Sequence, residues 1–485
     1  MLSLVRAARC VLFSLVVTMA VASCACGSTQ PPAETPDALA DSDSDADRDT
    51  GRDAIPDRGV DTGTVHVPKA PRCPSTDSGV PDATPDAAPS DAPPQLDAAD
   101  AADAFDAPPQ LDSGAGADAA EVGADADADA ATPVKYPAVQ VLDNGGRILP
   151  SPRIVPITFD GNVNREDLED FVASFGCTPY WRAIGVEYGV FDATGGTPIH
   201  LAEPAPAIIG DHAIEKFLKT NIEAKTPGWE QPTPNTLYAI YYPAETTVRL
   251  GTSESCSSFG GFHKSFVLSN GTTVPYAVIN DCGGGDLDEL TSTSTHEFIE
   301  ASTDAVPFGD QAYGELDPEH QVYGLISRGV EVGDLCAHYD FFPTDYPFAV
   351  QRSWSNLASL AGHEPCVPAS TATYFNTVPE LPDVISVNFA SVDTRGVRIP
   401  VGGERTINVR LFADGPIDSW TVQVKNAGGG SYLSFALDKM TGKSGDTIAL
   451  TISKKSESAS LGAEPFAIYS TNGKRRTVSF GLVGH

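Results

Sequence analysis

The stretch THEFIEA at residues 295–301 decides how the central part of this chain is expected to fold. Residues four apart lie on one face of an α-helix, so His296 and Glu300 can point at a single ion while Glu297 stands beside them. Zinc binds imidazole nitrogen and carboxylate oxygen, and a catalytic zinc site has three protein ligands with a fourth position left for water. The spacing therefore predicts a helix that supplies two ligands of Zn2+ and a general base, Glu297.

The third ligand must come from another part of the chain. The segment EVGDLC at residues 331–336 places Asp334 close to a cysteine that could fix its position, which makes Asp334 the first candidate. Glu331 in the same segment and His263 upstream are the alternatives. Asp304 lies just beyond the motif and near the same helical face, where it could hydrogen-bond a ligand or cap the helix end.

The second glutamate of the motif replaces the histidine of the commoner H-E-x-x-H pattern. A carboxylate at Glu300 makes the bound ion a weaker Lewis acid, which would lower the activity or change the preferred metal. The alternative interpretation is an ordinary helix on which His296 and Glu300 form an i,i+4 pair and Glu297 is solvated. The motif alone leaves both interpretations open.

Several further motifs occur in a familiar order around this helix. They are Cys256 with FGGFH at residues 259–263, the helix motif itself, EVGDLC at residues 331–336, and VQRSW at residues 350–354 with Cys366. Together they resemble the plant EXORDIUM and phosphate-induced protein family and its bacterial secreted relatives, over roughly residues 136 to 370.

This resemblance implies a secreted protein with a zincin-like motif, in a family linked in plants to cell-wall growth responses. By position, His296, Glu297 and Glu300 match the family's metal-like helix. Glu331 and Asp334 match its acidic segment, and His263 matches its Phe-His element. Analogy of fold does not by itself settle the chemistry.

The N-terminus has the pattern of a lipoprotein export signal. Arg6 and Arg9 precede an apolar run at residues 11–20, and VASC at residues 21–24 is similar to a lipobox. We expect residues 1–23 to be removed as a signal peptide and Cys24 to become the lipidated N-terminus. An ordinary signal peptide cut just after Cys24 is the alternative. The lipid would anchor a secreted chain to a membrane, at the outer membrane or cell surface.

The segment 24–133 consists mainly of Asp, Ala, Pro, Ser and Gly. It has 24 acidic and 5 basic side chains, and so holds 19 of the 34 net negative charges of the chain. A segment of this composition cannot bury enough apolar surface to fold, and its charges repel one another, so we expect a long disordered tether. The same charge argues against nucleic acid as a partner, because its phosphates would be repelled.

The cysteines indicate an oxidising compartment, in which disulfides are the default. After the tether, which contains Cys73, the chain has five more: Cys177, Cys256, Cys282, Cys336 and Cys366. We expect the pairs Cys256–Cys282 and Cys336–Cys366, with Cys177 left as a buried thiol. Five cysteines also permit other pairings.

Hydrophobic patterns after the tether predict an α+β domain at residues 134–372. The expected elements are a strand at 153–159, a helix from about Asn164, a helix after Asp211, a strand at 236–242, a strand at 274–280 and the motif helix at 286–303. Pro275 suggests that the strand at 274–280 lies at a sheet edge. With the helix motif, this order is what a zincin-like domain would show.

The last part of the chain alternates apolar and polar residues between turns rich in Gly, Pro and Asp. The predicted strands lie at 384–389, 406–412, 420–424, 432–437, 447–452, 466–469 and 477–482. This pattern predicts an all-β, immunoglobulin-like sandwich at residues 380–485. No residue in it marks a catalytic role.

Two functions from different classes follow from these observations. The first is a cell-surface lipoprotein with a zinc-dependent, peptidase-like hydrolase domain, in which His296, Glu300 and Asp334 hold the metal. The second is a non-catalytic surface protein that binds cell-wall polysaccharide or a protein on another cell, with a purely structural helix motif.

Overall fold

The computed structural model describes residues 72–73 and 138–485, except residues 338, 388–391, 429 and 458–461. The predicted signal peptide at residues 1–23, the lipidation site Cys24 and the tether at 24–133, apart from residues 72 and 73, lie outside this described part. Among the residues that are described, no helix is both long and apolar enough to cross a membrane.

The described chain is rich in β-structure and has few helices. Its α-helices are α1 (Arg165–Ser174), α2 (Pro179–Gly185), α3 (Asp211–Glu223), α4 (Leu287–Thr303), α5 (Gln321–Ser327) and α6 (Asn356–Ala361). The strands up to residue 372 are β1 (Val141–Asp143), β2 (Arg153–Thr158), β3 (Thr194–Gly195), β4 (Ile199–His200), β5 (Ile208–Gly210), β6 (Thr236–Tyr242), β7 (Thr247–Leu250), β8 (Ser253–Glu254), β9 (Gly261–Val267), β10 (Thr273–Asn280), β11 (Tyr313–Leu316), β12 (Asp340–Phe341), β13 (Val350–Gln351), β14 (Ser353–Trp354) and β15 (Cys366–Val367).

A six-stranded mixed sheet organises residues 138–372. Its order is β3-β2-β6-β10-β9, with β4 also pairing with β2. The neighbours β2, β3, β4, β6 and β10 pair in parallel, whereas β9 runs antiparallel to β10 and ends the sheet. The remaining strands form small sheets: β1 with β11, β5 with β7 and β8, β12 with β13, and β14 with β15.

Both faces of this sheet are buried, which explains why β6 is apolar or aromatic at nearly every position. Alternate residues of β6 point to opposite faces. Leu237, Ala239 and Tyr241 pack with α1, α2 and α4, while Tyr238 and Ile240 pack with α3 on the other side. The sheet is therefore a middle layer between two layers of helices.

The strand at 274–280 is not at a sheet edge, contrary to the prediction from Pro275. β10 lies between β6 and β9, and Pro275 is paired with Ser265 of β9. The pairing with β6 begins only at Tyr276, so the missing N–H of Pro275 interrupts no ladder on that side. The strand tolerates Pro275 because this residue lies before the part of β10 that pairs with both neighbouring strands.

The helix α4 forms where the motif predicted it. Its N-cap is Asp286, whose side chain accepts a hydrogen bond from the backbone of Asp288. Its many Ser and Thr residues are weak helix formers, but buried hydroxyls such as that of Ser294 donate to the carbonyl of Leu290 four residues earlier. Phe298 anchors the helix in an aromatic core, with its ring centroid 5.5 Å from that of Phe175.

Two packed sheets form the C-terminal part. Their strands are β16 (Phe375–Pro379), β17 (Asp383–Val387), β18 (Val392–Arg398), β19 (Glu404–Ala413), β20 (Trp420–Asn426), β21 (Leu433–Leu437), β22 (Thr441–Gly442), β23 (Thr447–Lys454), β24 (Glu464–Asn472) and β25 (Arg475–Gly484). One sheet has the order β16-β19-β23-β21, and the other has the order β17-β18-β25-β24-β20-β22. Their inner faces share one apolar core, so this part is a β-sandwich, as predicted.

The seven predicted strands of the sandwich are present, and β16, β18 and β22 are additional. β16 pairs with β19, so the first sheet begins before residue 380. The sandwich also packs on the preceding part of the chain. The Tyr323 ring lies 4.9 Å from that of Phe480, and the backbone N–H of Arg395 donates to the carbonyl of Glu319.

The structure has three disulfides among the described cysteines. Cys256–Cys282 and Cys336–Cys366 are paired as predicted. Cys177 is not a free thiol, because it is bonded to Cys73. The backbone N–H of Cys73 donates to Ala173 near the end of α1, which brings this short piece of the tether against the domain. The residues around Cys73 differ from the rest of the tether, because no Asp or Glu occurs from residue 62 to residue 76, but that difference does not by itself indicate a partner for Cys73.

Candidate metal centre

The helix α4 supplies three of the candidate residues. Nε2 of His296 lies 3.3 Å from Oε2 of Glu300, as the spacing of the motif requires. Glu300 and Glu297 are each only 3% exposed. Glu297 is therefore buried, contrary to the alternative interpretation in which it is solvated, whereas the i,i+4 pair of that interpretation is present.

The strand β9 supplies His263. Its imidazole is buried, and Nδ1 lies 3.7 Å from Oε2 of Glu297 and also 3.7 Å from Oε2 of Glu300. His263 reaches the helix because α4 packs directly against β9 and β10. The small residue Ala277 is its cross-strand partner on β10.

The acidic segment 331–336 supplies the remaining two carboxylates of the cluster, Glu331 and Asp334. Oδ1 of Asp334 lies 3.9 Å from Nε2 of His296, and Oε1 of Glu331 lies 3.4 Å from Nε2 of His263. The backbone N–H of Asp334 donates to Oε1 of Glu300 at 3.0 Å, which fixes the segment to the helix. The Cys336–Cys366 disulfide follows directly. The structure thus brings the first candidate and both alternatives to one place.

These side chains form two overlapping groups of three. The helix triad is His296, Glu300 and Asp334, and the strand triad is His263, Glu300 and Glu331. In each triad the potential ligand atoms all lie within 4.8 Å of one another. Atoms bound to one tetrahedral zinc at its usual bond lengths are about 3.4 Å apart. A small closing movement of either triad would reach that spacing.

Several polar atoms in the cluster lack a hydrogen bond within the described chain. They are Nε2 of His263, Oε2 of Glu297 and Oε1 of Glu331. An unsatisfied buried polar atom typically destabilises a fold by about 1–3 kcal/mol, so such atoms rarely occur together without a ligand. Imidazole and carboxylate are the donors that zinc and similar divalent cations prefer. The residues therefore fit a divalent cation.

The electrostatics of the cluster agree with this fit. Burial, together with the charge of Asp334, raises the pKa of Glu300 to about 7, and burial raises the pKa of Asp334 to about 6. Burial alone would lower the pKa of His296, but the neighbouring carboxylates, chiefly Glu300, hold it well above its usual value. Crowded carboxylates favour any nearby positive charge, whether a proton or a metal cation.

Two further residues support the cluster, and the sequence analysis gave neither a role. Oε1 of Gln351 on β13 lies 3.1 Å from Nδ1 of His296, and its Nε2 donates to the carbonyl of Gly333. A Cβ atom on Gly333 would lie 2.7 Å from Oε1 of Glu300 and 3.0 Å from Nδ1 of His296. A side chain at Gly333 would therefore push against both ligands. The string VQRSW at residues 350–354 includes Gln351, but only the family resemblance drew attention to it.

Asp304 has a different position from the ligand candidates. It follows the last residue of α4, is fully buried, and accepts a hydrogen bond from the backbone of Ala312 through Oδ1. Within the described chain, the carboxylate of Asp304 is bonded to the backbone and not to a side chain of either triad. The structure therefore favours the helix-end alternative for Asp304.

Comparisons with known proteins add little to this geometry. No family model and no curated protein matches the chain. Part of the chain is similar to domains 4 and 5 of the S-layer protein SbsC, with 18% identity and a TM-score of 0.15 over 23% of this chain and 54% of that one. It is also similar to a FixG-related protein from Vibrio parahaemolyticus (8% identity, TM-score 0.16, 23% of this chain and 94% of that one) and to a lipoprotein from Bacteroides thetaiotaomicron (12% identity, TM-score 0.16, 24% and 85%). Likenesses this weak define neither the fold nor the function.

Proposed function

We propose that this chain is a cell-surface lipoprotein whose central domain is a zinc-dependent, peptidase-like hydrolase of zincin-like fold. One observation carries the proposal: a helix, a strand and an acidic segment bring imidazoles and carboxylates together, and several of their buried atoms have no hydrogen bond to the described residues. His296, Glu300 and Asp334, the helix triad, would hold the ion. Such a donor set leaves a zinc position open for a reactant.

Glu297 is the best candidate for the general base. Its carboxylate is buried beside the helix triad, with Oε1 4.0 Å from Nε2 of His296, and its Oε2 has no hydrogen bond to any described residue. Zinc, when bound, would act as a Lewis acid that polarises a carbonyl and makes water more acidic. Glu297 would then take the proton from the attacking water and pass it to the leaving group.

The neighbours of His296 hold its imidazole in an orientation that suits metal binding. With Nδ1 protonated and donating to Oε1 of Gln351, the lone pair of Nε2 faces Glu300 and Asp334. Glu300 is oriented by the backbone N–H of Asp334. These bonds reduce the rearrangement that ion binding requires.

The position of β9 supports a polypeptide as substrate. This strand ends the mixed sheet and carries His263 next to α4. A strand at a sheet edge can pair with an extended peptide through backbone hydrogen bonds. A peptide added there would pass beside Glu297, because a Cβ on Gly261 of β9 would lie 2.6 Å from its Oε1.

The remaining parts of the chain would set its location. The predicted lipid on Cys24 and the acidic tether would hold the domain away from a membrane. The C-terminal sandwich, which we propose to be immunoglobulin-like, would act as a spacer or bind a protein or cell-wall polysaccharide. A non-catalytic surface protein that binds such a polysaccharide is the alternative for the whole chain.

Metal analysis and hydrolysis assays on the purified full chain test the proposal. We expect stoichiometric zinc in the wild type, and hydrolysis of a peptide library that falls by about 100- to 10,000-fold in Glu297→Gln while zinc is retained. Glu315→Gln on an exposed site of β11 is the matched control and should behave like the wild type. Absence of bound zinc would refute the metal centre. Bound zinc without any hydrolysis, together with polysaccharide binding that Glu297→Gln does not alter, would favour the alternative.

A further inference from the structure

One oxygen of Glu300 faces both histidines of the cluster. Its Oε2 lies 3.3 Å from Nε2 of His296 and 3.7 Å from Nδ1 of His263. The other oxygen is held by the backbone N–H of Asp334. Glu300 thus belongs to the helix triad and to the strand triad, and each triad has its own histidine and its own second carboxylate.

Glu297 also lies between the two histidines. Its Oε1 is 4.0 Å from Nε2 of His296, and its Oε2 is 3.7 Å from Nδ1 of His263. Two glutamates therefore stand between the two imidazoles: one oxygen of Glu300 is near both, whereas Glu297 has a different oxygen near each. A carboxylate that bridges two metal ions has this placement.

The unsatisfied atoms occur on the side that a single zinc in the helix triad would not reach. Nε2 of the buried His263 and Oε1 of Glu331 make no hydrogen bond in the described chain, although they lie 3.4 Å apart. The side chain of His263 is 4% exposed and that of Glu331 is 18% exposed, but these two atoms are themselves buried, so water has little access to them. These atoms point to a ligand of their own.

The charges of the cluster lead to the same conclusion. Its four carboxylates carry four negative charges when ionised, and two neutral imidazoles add none. One divalent cation would leave two negative charges for protons to balance, whereas two divalent cations would neutralise the group without protons.

We propose that the helix triad and the strand triad each bind a divalent transition-metal cation, with Glu300 shared between the two ions. This inference rests on the proposed metal centre and extends it from one ion to two. The donors, one imidazole and two carboxylates for each ion with Glu300 in common, suit Zn2+ or Mn2+. Glu297 stays between the two ions, where it can bridge them or act as the base.

Zinc titration of the metal-free full chain tests the inference. We expect two Zn2+ per wild-type chain, one in His263→Ala and one in His296→Ala. The variant that carries both His263→Ala and His296→Ala measures the weak zinc binding by the acidic tether. Every variant contains this tether, so that value is the baseline for all of them. The matched control is His320→Ala, which removes a histidine paired with Asp317 at 2.8 Å outside the cluster and should leave two ions bound.

The possible stoichiometries separate the two proposals. A single zinc in the wild type that persists in His263→Ala and is lost in His296→Ala overturns the second ion and leaves the proposed zinc site intact. A single zinc that is lost in both variants also overturns it. No zinc above the double-variant baseline overturns both proposals.

Electron paramagnetic resonance with Mn2+ gives a second readout. Two ions that share a carboxylate are exchange-coupled, so the wild type with two equivalents of Mn2+ should lose the six-line spectrum of an isolated ion. Each single-histidine variant should show the six-line spectrum. A six-line spectrum in the wild type at two equivalents would overturn the shared site.

Discussion

Oε1 of Gln351 lies 3.1 Å from Nδ1 of His296, so a residue on a two-residue strand fixes the orientation of the imidazole on α4. The same side chain donates to the carbonyl of Gly333, and its backbone N–H donates to the hydroxyl of Thr295. Gln351 therefore ties the helix to the acidic segment. It acts on the metal centre through His296 and does not need to touch an ion.

Replacing Gln351 should weaken metal binding more than folding. Gln351→Leu leaves Nδ1 of His296 without an acceptor, and zinc affinity should fall about 10- to 100-fold, as is usual for partners of metal-binding histidines. Gln351→Glu keeps an acceptor and should recover most of the affinity. Gln321→Leu is the control, because Gln321 is also buried but donates to Leu316. Competition with a chromophoric chelator measures the affinities, and equal affinity in Gln351→Leu and wild type would contradict the positioning role.

Gly333→Ala should disturb the centre through one methyl group. The new Cβ would lie 2.7 Å from Oε1 of Glu300, so the ligand or the acidic segment must move. We expect at least about a tenfold loss of zinc affinity, comparable with the loss of a supporting contact. Gly210→Ala is the matched control, because a Cβ there meets nothing within 4 Å. Unchanged zinc affinity in Gly333→Ala would show that the segment is not held against the ligands.

Removal of each of two disulfides should lower the stability of the protein, but only one of the two removals should also lower its zinc affinity. Removing Cys336–Cys366 frees the acidic segment, and replacing both cysteines with alanine should destabilise the protein by about 3 kcal/mol and lower zinc affinity. Removing Cys73–Cys177 opens a longer loop of 104 residues, so it should destabilise at least as much, but it should leave zinc affinity unchanged. Urea unfolding and zinc competition on both variants check this. Equal zinc affinities in the two variants would contradict it.

Phe298 should be essential for placing α4. Its side chain is fully buried, and its ring packs on Phe175, which in turn contacts Trp181 edge-on. Phe298→Ala should destabilise the fold by about 3–5 kcal/mol through lost burial and a cavity. Phe191→Ala, at a half-exposed ring, should change stability by about 0.5 kcal/mol or less. Denaturant unfolding measures both, and similar values for the two variants would mean that the aromatic core does not hold the helix.

The Arg153–Glu230 pair should make the free energy of unfolding depend on pH in the acidic range. Burial alone would raise the pKa of Glu230, but hydrogen bonds from Arg153 and Thr197 and the charge of Arg153 outweigh it and lower that pKa. A carboxyl of this kind adds stability above its unfolded pKa of about 4.3 and loses it as the pH falls through the lower folded value. The difference in unfolding free energy between wild type and Glu230→Gln should be constant near neutral pH and shrink in acid below about pH 4. A difference that grows on acidification would contradict the assignment.

Much of the fold could be predicted from local sequence patterns. The N-cap Asp286 and the four-residue spacing of His296 and Glu300 are local features, and α4 begins and ends where they indicate. The strand at Thr236–Tyr242 was also predictable, because a fully buried strand is apolar at almost every position. Pro275 misled the prediction, since the sequence does not tell where pairing with the neighbouring strand begins.

The sequence by itself determined the helix, its metal-type motif and the alternation of the sandwich strands. It only favoured the two disulfide pairs Cys256–Cys282 and Cys336–Cys366 among several that five cysteines permit. Only the tertiary structure decided that His263 joins the helix and the acidic segment, that Gln351 orients His296, and that Cys73 is bonded to Cys177. The physical reason is the distance along the sequence over which each interaction acts. Periodicity and capping act between neighbours in the chain, whereas a metal centre depends on contacts between segments that only packing brings together.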